Sequence, residues 1–150
     1  MATRILKGGD KLRSALDQIG CKVDQGATVR VGFMEGATYP DGTPVAAVAA
    51  YNEFGTSRTP PRPFMRQTIA QHDQSWGPAL GRALESTNYD VTRSMRLMGE
   101  GISGQVQDSI REMREPPNAP ATIDRKGFDK PLVDTGHMLN SVAYEVNDGD

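Results

Sequence analysis

The sequence has little with which to hold a metal ion, a disulfide or a membrane-spanning segment. Its 150 residues include one cysteine, Cys21, and two histidines, His72 and His137. A single cysteine cannot form an intrachain disulfide, which favours a reducing compartment, and no carboxylates at ligand spacing support the histidines. No apolar run approaches the roughly 20 residues that cross a bilayer, and the first residues lack the apolar core of a secretion signal. We therefore expect a protein made in the cytoplasm, with no membrane contact, no metal and no other cofactor.

A strong charge of either sign is also missing. Seventeen basic residues face nineteen acidic ones, which gives a formal net charge of −2. Such a chain has no global attraction for nucleic acid or for an anionic membrane. Sixteen glycines and ten prolines indicate many loops. The length fits one domain over residues 1–150.

The hydrophobic pattern changes period near both ends of the chain. Residues Val29 to Phe33 and Val142 to Val146 alternate between apolar and polar side chains, as in half-buried strands. Between them, apolar residues recur every three or four positions from Val91 to Met113, which predicts the longest helix. We expect an α+β fold in which a small mixed or antiparallel sheet, holding both strands, packs against several helices including one long helix.

Shorter elements follow from local signals. A helix is predicted from Asp10, as a possible N-cap, to Gly20, and another after the turn at Tyr39–Gly42. That second helix should begin at Thr43-Pro44 and end at Gly55. A third should begin at Pro63 and break at Gly77-Pro78, because proline lacks the amide hydrogen.

The C-terminal third has two segments without a hydrophobic period. We expect a long flexible loop at residues 115–131 and a frayed tail at residues 147–150. Between them, Asp134-Thr135-Gly136 should cap a short helix. Within the loop, Ile123 and Phe128 are spaced to act as two anchors on a neighbouring protein, although both could instead pack in the chain's own core.

The residue types of catalysis are present without the arrangement that catalysis needs. Asp134, His137 and Ser141 fall on one helix face, with no separate oxyanion donors and no glycine-flanked nucleophile. We therefore predict no enzyme activity. Glycines 99, 101 and 104 lie inside the long helical pattern and suggest close packing against another backbone, or a kink.

The segment Thr56–Arg66 is the densest cluster of candidate binding residues. It holds three arginines, Arg58, Arg62 and Arg66, together with Phe64 and several prolines. Arginine and aromatic side chains on a proline-stiffened loop are typical of protein-binding surfaces. The same composition could instead bind nucleic acid backbones, or Phe64 could simply enter the core.

Two blocks of sequence resemble a known family. The first runs from Val31-Gly32-Phe33 through the segment Ala47–Thr56 to Pro61–Arg66, and the second covers Asn118–Gly127 and Lys130–Val142. Together they resemble the head–tail joining and tail-completion (minor tail component, virion morphogenesis) neck proteins of tailed phages.

The resemblance implies a structural virion protein of the neck or tail, assembled in the host cytoplasm. It would bind copies of itself in a six-fold ring and contact neighbouring neck, tail-terminator or tail-tube proteins, with DNA only passing through. The alternative is a small DNA-associated protein that uses its arginine-rich loop on backbone phosphates. The candidate partner-binding residues are Arg58, Arg62, Phe64, Arg66, Ile123, Arg125 and Phe128.

Overall fold

A computed structural model describes residues 8–149 and shows an α+β fold, as predicted. Two strands and six helices lie in this range. The strands are β1 (Ala27–Phe33) and β2 (Val142–Asp148), and the helices are α1 (Gly9–Asp24), α2 (Val45–Phe54), α3 (Phe64–Ser86), α4 (Val91–Glu112), α5 (Pro120–Lys126) and α6 (His137–Asn140).

The two strands form one antiparallel sheet, which confirms the prediction from their alternating pattern. Ala27 lies opposite Asp148, and Phe33 lies opposite Val142. Helix α4 packs across one face of this sheet. On the other face Arg30 pairs with Glu145 at 3.5 Å, so that face is polar.

The core lies where α2, the start of α3 and the second half of α4 meet the sheet. Phe64 is almost fully buried and meets Phe33 edge to face, with ring centroids 6.2 Å apart. Such an aromatic pair adds to the free energy that burial alone provides. The buried apolar residues of this core are Val45, Ala49, Phe64, Val106, Ile110, Met113, Leu132, Met138 and Val142.

Helix α3 continues through Gly77-Pro78, so the predicted break is wrong. Proline removes one backbone hydrogen bond, and the cost of the lost bond depends on whether the freed carbonyl can reach water. Residues 73–75 and 77–78 are exposed, so water can donate a hydrogen bond to that carbonyl. As a result α3 has 23 residues and α4 has 22, and α4 is not the longest helix.

The boundaries of three helices also differ from the predictions. Helix α1 runs past Gly20 to Asp24, and Asp10 lies in its first turn and not at its cap. Pro44 is the N-cap of α2, which begins one residue later than Thr43-Pro44 suggested. Helix α6 begins after Gly136, a residue in the left-handed conformation, with no side-chain cap.

The C-terminal third is more ordered in secondary structure than its sequence predicts. Helix α5 lies inside the segment 115–131, with Pro120 in its first turn and Gly127 as a left-handed C-cap. Seven residues are too few to show a hydrophobic period. Asn147 and Asp148 belong to β2, so the predicted frayed tail is wrong for these two, and Asp150 lies outside the described residues. The mobility of residues 115–131 remains a prediction.

Within residues 8–149, no helix combines the length and the apolar character needed to cross a bilayer.

Candidate functional site: a groove between the two sequence blocks

The first block folds into a corner that joins α2 to α3. The Glu53 carboxylate at the end of α2 is buried, and it accepts hydrogen bonds from the backbone amides of Met65 (2.9 Å) and Arg66 (3.1 Å). These amides belong to the first turn of α3, where no intrahelical acceptor is available. Glu53 therefore caps α3 from a distance, and its negative charge lies at the positive end of the helix.

Gly55 lets the chain turn at this corner. Its φ of 75° is left-handed, and a Cβ there would lie 2.8 Å from the Pro61 nitrogen and 2.9 Å from the Thr59 oxygen. Beyond the turn, the Arg62 amide donates to the Asn52 carbonyl at 2.6 Å. The sequence Asn-Glu-Phe-Gly-Thr at residues 52–56 is therefore explained by the backbone conformation and hydrogen bonds of this corner.

Two residues proposed as an exposed binding surface are not on the surface. Phe64 is 1% exposed and belongs to the core, and Arg62 is 6% exposed. The prediction of an exposed Arg/Phe surface is wrong for both, because tertiary packing draws this end of the loop inward. Arg66 pairs with Glu53 at 2.8 Å and lies over the Phe54 ring at 5.3 Å, whereas Arg58 is exposed.

Arg62 connects the first block to the second. Its Nε donates to the Pro116 carbonyl and its Nη2 donates to the Pro117 carbonyl, each at 2.9 Å. The planar guanidinium holds two successive carbonyl oxygens at once, which a lysine could not do in the same geometry. Arg62 thereby fixes the start of the segment 115–131 against the corner.

Lys126 and Arg125 stabilise the remainder of the second block. The Lys126 ammonium donates to the carbonyls of Lys130 (3.0 Å) and Val133 (2.7 Å), which closes the turn after α5. Arg125 lies 3.7 Å from Asp134, and both side chains are exposed. Of the two predicted anchors, Ile123 is half-buried and Phe128 is 39% exposed, beneath the Lys126 ammonium at 5.6 Å.

The two blocks enclose a groove of about 1210 Å³. Its floor consists of buried side chains and its rim of exposed ones. The floor is formed by Arg62, Asn118, Pro131, Leu132 and Met138, together with the half-buried Lys126, and the rim includes Pro40, Asp41, Arg58, Pro60, Ala119, Arg125, Asp134 and Asn140.

Positive charge on the floor of this groove has no close counter-ion. Within residues 8–149, no carboxylate lies within 4.0 Å of Arg62 or Lys126. Burial lowers the pKa of the Arg62 guanidinium, and the charge of Asp129 opposes that shift. Burial also lowers the pKa of Lys126; the charge of Asp134 opposes that shift, those of Arg125 and Arg62 add to it, and that of Asp129 opposes it. Asp129 and Asp134 therefore act on these cations from beyond ion-pair distance.

The floor also carries an unsatisfied hydrogen-bond donor. Asn118 is 8% exposed, and its side-chain nitrogen has no partner among the described residues. Its backbone amide donates to Asp129 at 3.2 Å, so the main chain there is satisfied. A buried donor without a partner is uncommon in folded proteins and costs about 1–3 kcal/mol.

The residue types of a hydrolase triad do not form a relay here. His137 Nε2 is 2.8 Å from the Thr38 carbonyl, and the Ser141 hydroxyl donates to the His137 carbonyl at 2.7 Å. Asp134 pairs with Arg125 and not with the histidine. Among residues 8–149 no group of three or more histidine, cysteine, aspartate or glutamate side chains could hold a metal ion.

Comparisons of this chain with protein-family models, with curated proteins and with solved structures find no match.

Proposed function

We propose that this chain is a structural subunit of the tailed-phage neck. It would join or complete the tail at the head–tail interface by self-association and by contacts to neighbouring neck or tail proteins. The observation that carries the assembly role is the amount of surface left exposed. The chain has an accessible surface of 10436 Å². A compact monomer of its mass, 16.3 kDa, is expected to expose about 7,500 Å².

The excess matches what a ring subunit buries. Seven residues at the start and one at the end lie outside the described range. Even with the surface of an unfolded chain they would account for only about 1,300 Å² of the difference. At least about 1,600 Å² remains, enough for two contacts of roughly 800 Å² each, one with each neighbour.

Helix α1 supplies much of this unpartnered surface. None of its 16 residues is buried, yet it carries an apolar stripe. Leu12 and Leu16 are 63% and 56% exposed, and Ile19 and Val23 continue the stripe at helical spacing. A helix of this length is marginal by itself in water, and its stability usually comes from packing its apolar face. A second copy of the chain, or a neighbouring neck protein, would provide that packing.

The resemblance of the two blocks supports the phage neck as the place of assembly. The DNA-binding alternative is less well supported, because it needs three arginines on phosphates. Arg62 is buried, and Arg66 is paired with Glu53. Of the three arginines, only Arg58 is both exposed and, within residues 8–149, without a carboxylate closer than 4.0 Å.

Self-association can be tested on α1 without disturbing the core. We expect the wild-type chain to form oligomers with increasing concentration, measured by light scattering coupled to size exclusion. Leu16→Glu should raise the dissociation constant at least tenfold by placing a charge in the stripe. Ser14→Glu, on the opposite face of α1, is the matched control and should leave it unchanged.

Complementation of a phage lacking the gene links this measurement to the neck. Leu16→Glu should block the formation of joined particles, whereas Ser14→Glu should support it. A chain that stays monomeric at all concentrations, together with normal particle yield from Leu16→Glu, would contradict the proposal.

A further inference from the structure

The groove floor combines three features that a closed, self-sufficient core does not have. Arg62 is buried, with two nitrogens bound to backbone carbonyls and no carboxylate within 4.0 Å among residues 8–149. The half-buried Lys126 ammonium likewise binds two backbone carbonyls and has no carboxylate within that distance in the same range. The Asn118 side-chain nitrogen is buried and unpaired. All three groups are hydrogen-bond donors, and all three line the same groove.

Each of these features is relieved by the same chemical group. A desolvated cation is stabilised by an anion within about 4–6 Å, and a buried donor is stabilised by an acceptor oxygen. The carbonyl oxygens around Arg62 and Lys126 satisfy some donors but carry no formal charge, and the carboxylates of Asp129 and Asp134 act on these cations only from beyond ion-pair distance. The floor therefore favours a negatively charged group with oxygen acceptors.

We propose that the groove binds an extended segment of a partner protein and takes one of its aspartate or glutamate carboxylates onto Arg62, Lys126 and Asn118. This inference rests on the proposed role as an assembly subunit and names the chemistry of one partner segment. Leu132 and Met138 are buried beside these polar groups, so the segment should carry an apolar residue next to the acidic one. Arg58 and Arg125 on the rim would attract it.

A peptide carboxylate fits this groove better than a nucleic acid does. Asp41 and Asp134 also lie on the rim, and their negative charges contribute to a raised pKa at Tyr39, where burial is the larger cause. A phosphodiester chain carries one charge per nucleotide and would meet these carboxylates repeatedly. A peptide with a single acidic side chain can place its charge on the floor and keep uncharged residues along the rim.

The test uses the full chain and two capped pentapeptides. One has a single glutamate at its centre flanked by leucines and otherwise uncharged residues, and the other has glutamine in place of that glutamate. Titrations are followed by calorimetry and by NMR of the Asn118 side-chain amide and the Arg62 Nε–H. We expect the glutamate peptide to bind at least about tenfold more tightly and to shift both resonances, because a hydrogen bond to a charged group is the stronger one.

Asn118→Leu separates binding from folding. The Asn118 side-chain nitrogen holds no partner in the described structure, so its removal should leave thermal stability unchanged or raised. The variant should weaken the glutamate peptide about tenfold and leave the glutamine peptide unaffected. Asn147→Leu, on an exposed position of β2 outside the groove, is the matched control and should bind like the wild type.

Three outcomes would overturn the inference. They are equal binding of both peptides, no binding of either at millimolar concentration, and the same resonance shifts produced by a single-stranded oligonucleotide and not by the glutamate peptide. Light scattering on the same samples measures self-association separately from peptide binding, so that failure of the groove inference can be distinguished from failure of the proposed function. Oligomers without peptide binding remove only the groove inference, whereas peptide binding by a strictly monomeric chain removes self-association and keeps the groove.

Discussion

Gly99 lies where helix α4 crosses the sheet, and its replacement tests how closely the two layers pack. A Cβ at this position would contact Tyr144 Cδ2 and would lie 2.6 Å from Tyr144 Cγ and 2.9 Å from Val29 Cγ2. Cγ is the base of the ring and moves only if the whole side chain changes rotamer. The close packing suggested by the sequence is therefore confirmed at Gly99, although the partners are side chains and not another backbone.

The expected effect of Gly99→Ala is the balance of two opposing terms. Overpacking costs about 1–3 kcal/mol, and the gain in helix propensity from glycine to alanine offsets roughly 1 kcal/mol. The Tyr144 ring cannot yield easily, so we expect a net loss of about 1–2 kcal/mol in the free energy of unfolding. For a domain of this size that is a melting temperature lower by about 2–8 °C.

Gly101 and Gly104 in the same helix are the matched controls. A Cβ at either position meets nothing within 4 Å, so Gly101→Ala and Gly104→Ala should gain helix propensity without a clash. Each should stabilise the fold by about 0.5–1 kcal/mol. Calorimetric melting of the three variants decides the matter. If Gly99→Ala melts at or above the wild-type temperature, the close approach of α4 to the sheet is wrong.

Two further predictions concern the corner and the segment after α4. Glu53→Gln keeps one acceptor oxygen but loses the charge and the second acceptor at the start of α3. Urea titration should therefore show a free energy of unfolding lower by about 1–2 kcal/mol. Most of this loss should come from the helix cap, because the Arg66 side chain is 57% exposed and its ion pair is screened by solvent. Glu85→Gln, on an exposed part of α3, should change stability by less than about 0.5 kcal/mol. Hydrogen exchange should be faster over residues 118–130 than in α4 in the free protein, and slower once a partner is bound; uniformly slow exchange in the free chain would contradict this mobility.

The strands and α4 could be predicted from the sequence because their signals are local. The alternation at Val29–Phe33 and the apolar spacing from Val91 to Met113 each reflect packing against a single surface. The strand and the helix are both found where these patterns predict them. The break at Gly77-Pro78 could not be judged in the same way. Whether proline ends a helix depends on the exposure of a carbonyl one turn earlier, and exposure is a tertiary property.

The candidate site was only partly predictable because its contacts join distant parts of the chain. Arg62 and Pro116 are 54 residues apart, and no pattern in either segment indicates that one binds the other. Composition favoured an exposed loop for Arg62 and Phe64, since charged residues and prolines are usually at the surface. In the sequence, Asn118 stands out only as part of the second block. Its unpaired side-chain nitrogen is a property of the folded chain.

Arg62 joins the two sequence blocks in the folded chain. An arginine can hold two consecutive carbonyl oxygens, and this brings the segment after α4 against the corner after α2. The same contact leaves a formal charge in the groove that carbonyl dipoles alone do not neutralise. If stability were the only requirement, a neutral donor at residue 62 would avoid the cost of burying that charge. This cost is what the proposed binding of a partner carboxylate would offset.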